Sequence, residues 1–474
     1  MIAVVEPGKL RGTVELPSSK SYAHRLLIAA ALADAPVLVR LNARNADIDA
    51  TVNCLRALGA QIGEAEGGLR VRPIPRGSTP SGHPVPGTVK PVCAAAESGE
   101  GAGTPAESGE DSLQGAVPNC GDSADLRAAN FSAGGASDRA VLPDLPAHNG
   151  IRPMPELFCG ESGSTLRFLL PVAAALGVSC AFTGAGRLPE RPNAPLTGAL
   201  NAHGVHADRD RLPIRLCGQL RGGDYEIAGD ISSQYITGLL FALPLCGEDS
   251  ALRLTTPLAS ASYVDITLDV LARFGIRIDR APEGWAVPGG QRYASPGEVR
   301  AEGDWSAAAF WLAANRLGSE VACEGLREDS AQGDRAIGGL LDQLGGEIDA
   351  TDTPDLVPAL AVAAAVHPGT TRITGAARLR LKESDRLSAV AQMLRALGGR
   401  AEETADGLMI EGAGRLRGGE VDGQNDHRIV MAAAIAATVA SGAVRITGAE
   451  AVEKSYPAFF DDFRRLGGRV RFEP

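Results

Sequence analysis

Apolar residues along the chain recur in one short phrase: the apolar end of a helix, a glycine, then the alternation of a strand. Leu55-Arg56-Ala57-Leu58-Gly59-Ala60-Gln61-Ile62 is the first copy and Leu200-Asn201-Ala202-His203-Gly204-Val205 the second. Four more follow, at Leu271 to Ile278 around Gly275, Leu341 to Ile348 around Gly345, Leu394 to Arg400 around Gly398 and Phe463 to Val470 around Gly467. A helix end favours a left-handed residue just past its last turn, which glycine supplies, and the alternation after it predicts a strand. Six copies mean six similar units. Their glycines are 145, 71, 70, 53 and 69 residues apart, so the first interval is about twice the common length and holds extra sequence.

That extra sequence shows as a change of composition. From about Pro75 to Pro153 the chain turns to Gly, Ala, Ser, Pro and acidic residues, with Ala96-Glu97-Ser98-Gly99-Glu100 repeated as Ala106-Glu107-Ser108-Gly109-Glu110. Too little apolar surface is present to offset the entropy of ordering it, which predicts a disordered surface excursion. The remaining units, with no dinucleotide fingerprint and no eightfold count, predict an α/β fold of two domains with three units each. Turn-rich sequence from Pro288-Gly289-Gly290 to Ser295-Pro296-Gly297 supplies the crossing, and a cleft between domains is the natural place for a site.

Composition narrows this picture. The 474 residues exceed one ordinary core, and 44% apolar with 22% charged residues is the balance of a soluble globular protein. A net charge of -11 argues against a nucleic-acid surface, so any cationic site must be local. The first residues, Met1 to Pro7, lack the basic flank and long apolar core of a signal peptide. The most apolar long stretch, Ile429 to Ala440, falls short of the ~20 residues of a membrane span. Eight cysteines, at 54, 93, 120, 159, 180, 217, 246 and 323, form no Cys-x-x-Cys pair and read as free thiols of a reducing, cytoplasmic compartment.

Charge is concentrated in Arg380-Leu381-Lys382-Glu383-Ser384-Asp385-Arg386, just ahead of the helical pattern Leu387, Val390, Met393, Leu394, Leu397. With Ser384 or Asp385 as cap, Lys382, Glu383 and Arg386 gather at a helix N-terminus, which itself favours anions. Glu383 among those cations suits proton transfer, although a solvated helix start with local ion pairs would give the same spacing. Three more helix starts carry cations. Ser18-Ser19-Lys20-Ser21 with Arg25 opens one, Asn425-Asp426-His427-Arg428 another and Glu453-Lys454-Ser455-Tyr456-Pro457 the last. The turn Cys159-Gly160-Glu161-Ser162-Gly163-Ser164-Thr165-Leu166-Arg167 exposes backbone N-H groups before a helix but lacks the lysine of a nucleotide-binding loop. Two arginines stand on the rigid loop Gly184 to Pro192, and Ser232-Ser233-Gln234 offers neutral hydrogen-bonding groups in a row.

Taken together and in this order, Lys20-Ser21 with Arg25, Gly160 to Arg167, Glu190-Arg191-Pro192, Ser232-Ser233-Gln234, Arg380 to Arg386, Asn425 to Arg428 and Lys454 resemble the 5-enolpyruvylshikimate 3-phosphate synthase family. The resemblance covers nearly all of the chain outside the 75 to 153 insertion. It implies transfer of the enolpyruvyl group of phosphoenolpyruvate to the 5-hydroxyl of shikimate 3-phosphate with release of phosphate, a step of the shikimate pathway to aromatic amino acids. It also implies an upper domain of residues 1–20 with 297–474, a lower domain of 21–296 interrupted by the insertion, and a site in the cleft between them.

Carried over by resemblance, phosphoenolpyruvate would be held by Lys20, Gly163, Arg191, Arg386, Arg428 and Lys454. Shikimate 3-phosphate would meet Ser21, Arg25, Ser232, Ser233, Gln234, Ser260, Asp355 and Lys382. Glu383, Asp355 and Lys20 would be catalytic, Glu383 at the methylene carbon and Asp355 with Lys20 at the attacking hydroxyl. The resemblance implies a cytoplasmic monomer that acts on these two small molecules with no cofactor, metal, nucleic acid or membrane, and that is a target of glyphosate. Family members often have Asn at the position of Glu161, Thr at Ser164, Pro at Phe168 and Asn at Arg378. Two rivals are the sister enolpyruvyl transferase of UDP-N-acetylglucosamine, which should carry a catalytic cysteine in a loop of the first domain, and an inactive anion-binding scaffold, which should have lost Glu383, Asp355 and His427.

Overall fold

A computed structural model describes residues 1–75 and 154–473. The low-complexity stretch, with the disorder predicted for it and with Cys93 and Cys120, lies outside the described residues. All six phrase glycines have the left-handed backbone predicted for them, with φ of 108° at Gly59, 87° at Gly204, 73° at Gly275, 85° at Gly345, 78° at Gly398 and 89° at Gly467. A strand follows each: Gln61–Ala65, Val205–Ala207, Asp279–Ala281, Glu347–Asp349, Arg400–Glu403 and Arg469–Glu473.

Six sheets are present among the described residues, and five share one order. In the clearest, Glu156–Phe158 runs parallel to Cys180–Thr183, which pairs antiparallel with Ile214–Gly218, which pairs antiparallel with Val205–Ala207. Each unit is thus strand, helix, parallel strand, helix and hairpin. The sixth sheet has only the parallel pair Arg11–Glu15 and Glu320–Glu324. This unit lacks its hairpin, so the strand after Gly345 is already the first strand of the next sheet, parallel to Thr370–Thr374. The missing hairpin explains why the interval from Gly345 to Gly398 is the short one.

Two hydrophobic cores fill this framework. One is built from residues between Tyr22 and Ala301, the other from Ala3 to Leu16 together with Ala307 to Leu466. At the centre of the second lie Trp305–Arg316, Val357–Val366 and His427–Ala437, helices apolar on nearly every face, as a helix surrounded by others must be. Their alanines let the backbones approach closely, which is how a chain with 4% aromatic residues still fills its interior.

The chain passes between the cores twice, at neighbouring points. Ser19 N donates to Glu302 O at 2.7 Å and Asp304 N to Pro17 O at 3.0 Å, so the two passages are zipped together. The second passage falls beyond the turns at 288–297, because Glu298–Arg300 first adds a strand parallel to Val37–Arg40. Cys54, Cys159, Cys180, Cys246 and Cys323 are free thiols. Among the described residues no helix is long and apolar enough to cross a membrane.

Candidate active site

The first helix of each unit begins at one cavity between the two cores. Lys20 and Ser21 open Lys20–Ala31, Gly163 and Ser164 open Gly163–Ala175, and Ser233 and Gln234 open Ser233–Ala242. From the other core come Ser306 in the first turn of Trp305–Arg316, Asp355 in the turn before Val357–Val366, and His427 and Arg428 at the start of His427–Ala437. Six positive helix ends therefore face the same space, an arrangement that favours anions before any side chain is counted.

Capping fixes these ends. Ser162 Oγ accepts from Thr165 N at 3.2 Å, Asp304 Oδ1 from Ala307 N at 3.1 Å and Asp426 Oδ1 from Arg428 N at 2.9 Å. At Lys20 no serine caps the helix: Ser19 Oγ donates to Gln332 Oε1 at 3.0 Å, and Lys20 N donates instead to Asp304 Oδ2 at 3.0 Å. The helix carrying Lys20 is thus capped from the other core. Asp385 caps Arg386–Ala396 through Ser388 N at 3.2 Å, whereas Ser384 does not cap but donates to Asp426 Oδ2 at 2.9 Å.

Side chains deepen the preference. Eight cations line the cavity, Lys20, Arg25, Arg167, Arg191, Arg378, Lys382, Arg386 and Arg428, against four carboxylates, Asp47, Asp304, Asp355 and Glu383. In a chain of net charge -11 that twofold excess is a local construction. Several cations have no full counter-ion. Arg25 is 2% exposed and donates to Thr267 Oγ1 at 2.8 Å, Ser21 O at 2.7 Å and Tyr263 O at 2.9 Å, all neutral acceptors. Burial accordingly pulls its guanidinium below the ordinary arginine range, and does the same to Arg167 and Arg191. Arg191 Nε is buried without a partner, and a Cβ on Gly163 would come within 2.8 Å of Arg191 Nη1, so glycine there makes room for the guanidinium.

On the other side Arg386, 1% exposed, ties three carboxylates together. It reaches Glu383 Oε2 at 2.6 Å, Asp355 Oδ1 at 2.9 Å and Asp426 Oδ2 at 2.9 Å. Asp355 also meets Arg428 at 3.2 Å and Lys382 at 3.6 Å, and accepts from Tyr263 OH at 2.7 Å. Burial alone would raise the Asp355 carboxyl, but Arg428, Lys382 and Arg386 together hold it well below the usual range. Glu383 behaves alike, with burial opposed by Arg386 and then by Lys20 and Arg191. Both carboxylates therefore stabilise the folded chain at neutral pH, and that contribution is lost only as pH falls through their depressed folded-state values. Burial disfavours the Lys20 ammonium, yet Asp47 at 3.0 Å and Glu383 more than offset it and hold it above its ordinary range. His427 is kept neutral by burial and by Lys20 and Arg428, and neither ring nitrogen has a partner.

Of the residues singled out in the sequence, Lys20, Ser21, Arg25, Gly163, Arg191, Ser232, Ser233, Gln234, Ser260, Asp355, Lys382, Glu383, Arg386 and Arg428 all line this cavity. Lys454 stands outside the lining, paired with Glu161 Oε2 at 2.9 Å. Sequence reasoning gave no role to Arg167, which donates to Gln234 Oε1 at 2.7 Å, or to Tyr263 and Asp47. Arg167 could have been found, since it lies one turn beyond Gly163 on the same helix face. Tyr263 and Asp47 carry no local signal.

The sequence profile of the EPSP synthase (3-phosphoshikimate 1-carboxyvinyltransferase) family matches residues 4–86, 146–356 and 347–463. A 3-phosphoshikimate 1-carboxyvinyltransferase from Clostridium kluyveri is 36% identical over 488 aligned positions, covering 98% of this chain and 97% of that protein. Among solved structures, an EPSP synthase from Acinetobacter baumannii superposes with a TM-score of 0.71 at 22% identity, over 99% of this chain and 100% of that one. The enolpyruvyl transferase NikO from Streptomyces tendae superposes with a TM-score of 0.67 at 17% identity, over 99% of this chain and 98% of that one. These two likenesses confirm the fold, an α/β architecture of two domains built from repeated units, and the profile with the Clostridium relative shows that the chain belongs to the EPSP synthase family.

Proposed function

We propose that this chain transfers the enolpyruvyl group of phosphoenolpyruvate to the 5-hydroxyl of shikimate 3-phosphate and releases phosphate, as a cytoplasmic monomer. The observation that carries the reading is the twofold excess of cations over carboxylates where six helix N-termini meet. Both substrates are multiply anionic, so a site for the pair needs this convergence, and expelling water from it strengthens every contact.

Arg191, Arg386, Arg428 and Lys20 hold phosphoenolpyruvate, and Lys454 joins them when its pair with Glu161 opens. Arg25 and Lys382, with the hydroxyls and amide of Ser21, Ser232, Ser233, Gln234 and Ser260, hold shikimate 3-phosphate. In the addition step the 5-hydroxyl oxygen bonds to the central carbon of the enol while Glu383 delivers a proton to the methylene carbon, making it a methyl. Asp355, with Lys20, takes the hydroxyl proton. Elimination then breaks the bond to phosphate, and Glu383 takes a proton back from the methyl. Shared cations hold both carboxylates ionised; anions arriving among them draw on those same cations and move both carboxyls up toward the range where a proton can be exchanged. The two cores act as domains hinged at residues 17–20 and 301–304.

Phosphate release from phosphoenolpyruvate is expected to depend on added shikimate 3-phosphate, followed in a coupled phosphate assay. Turnover with UDP-N-acetylglucosamine in its place would overturn the assignment. The family profile and the Clostridium relative, both of 3-phosphoshikimate 1-carboxyvinyltransferases, favour the first reading over that alternative.

A further inference from the structure

Lys454, of the proposed phosphoenolpyruvate set, stands outside the cavity lining, and its charge is already answered there. Its Nζ lies 2.9 Å from Glu161 Oε2 and donates to Asn425 O at 2.8 Å. The same carboxylate accepts from Asn425 Nδ2, at 3.3 Å to Oε1 and 3.2 Å to Oε2. Glu161 belongs to the turn that precedes Gly163 in the first core, while Asn425 and Lys454 belong to the second. The three groups clasp the cores beside the cavity, two residues ahead of Gly163 on one side and of His427 on the other.

The clasp is built from both sides. Gln424 and Asn425 have φ of 48° and 52°, left-handed values that cost a side-chain-bearing residue energy and persist only where neighbours enforce them. Here Gln424 N donates to Asp422 Oδ1 at 2.9 Å and Gln424 Nε2 to Gln392 Oε1 at 2.9 Å, pinning the turn that presents Asn425. Facing it, Gly186 has φ of 56°, and a Cβ there would come within 2.4 Å of Glu161 Oε2, so the loop that carries Arg191 is shaped around the carboxylate.

A neutral side chain at position 161 could hold Asn425 as well as a carboxylate does. What only the carboxylate adds is a negative charge against Lys454, in the place a substrate anion would take. We propose that Glu161 is an internal counter-ion that phosphoenolpyruvate must displace from Lys454, so that it sets the affinity for this anion and couples its arrival to the clasp. This rests on the reading above in that Lys454 contributes to phosphoenolpyruvate binding. Glu161 then acts through Lys454, as a positioning and specificity-determining residue, and touches no reacting atom.

Glu161→Gln keeps the shape and an oxygen acceptor but removes the charge, which separates competition from clasping. Calorimetric titration with phosphoenolpyruvate is expected to show about fivefold tighter binding by this variant, from losing a partly exposed competing pair. The gain is expected in the KM for phosphoenolpyruvate and not in kcat. In a Lys454→Met background, where there is no charge left to compete for, Glu161→Gln is expected to change the affinity little, so the two substitutions are strongly coupled. Unchanged or weaker binding by Glu161→Gln, or the same gain with and without Lys454, overturns the proposal. The titration needs no turnover, so absence of activity in the wild-type chain would sink the function reading separately.

Discussion

Replacing Glu383 by glutamine is expected to leave phosphoenolpyruvate bound at least as tightly as before while kcat falls by about two to four orders of magnitude. Glutamine keeps the shape of the side chain and an oxygen toward Arg386, now 2.6 Å from Glu383 Oε2, but has no proton to give or take. Removing one carboxylate from around Arg386 frees positive charge for the substrate, so affinity should not suffer. The rate should, because burial pushes the Glu383 carboxyl up and it is Arg386, with Lys20 and Arg191, that holds it well below its usual range. Those cations are the ones an incoming anion would share, which makes the carboxyl's proton affinity depend on whether substrate is present. Steady-state kinetics that separate kcat from KM provide the measurement, together with exchange of solvent deuterium into the methylene of phosphoenolpyruvate, which should vanish. Unaffected turnover would remove Glu383 from its role, and binding lost along with rate would make it part of the anion cradle instead.

The repeat was legible because its signal is local. A glycine that must be left-handed at a helix end leaves a mark within eight residues, and all six marks led to strands. The missing hairpin of the fourth unit was not legible, since a strand's membership in one sheet or the next depends on distant pairing; only the 53-residue interval hinted at it. The same division runs through the site. Cations at helix starts could be read one turn at a time, but which carboxylate answers which cation is a property of the assembled cleft. Lys20 finds its backbone cap in Asp304, 284 residues away, and Lys454 finds Glu161, 293 residues away. Ser19 had the composition of a cap and lost the position to a residue that local sequence could not weigh.

Arg386→Ala is expected to abolish activity and to destabilise the folded chain by about 3–5 kcal/mol, the cost of leaving a buried charge without its partner. The charge in question is Asp426, 0% exposed, which receives Arg386 Nε at 2.9 Å and Nη2 at 3.2 Å. Without the guanidinium it keeps Ser384 Oγ and Arg428 N, two neutral donors for a full negative charge in the core. Arg386→Lys should recover little, because one ammonium cannot reach Asp426, Asp355 and Glu383 from a single point as the planar guanidinium does. Denaturant unfolding measures the loss, and a second substitution tells its two parts apart. Asp426→Asn added to Arg386→Met removes the stranded charge while keeping a residue able to cap His427–Ala437, so much of the stability should return. Activity should not return, because a cation proposed to hold phosphoenolpyruvate is still gone. If the double variant regained turnover together with stability, Arg386 would be a fold residue alone, and the cations left to hold the anion would be Lys20, Arg191, Arg428 and Lys454.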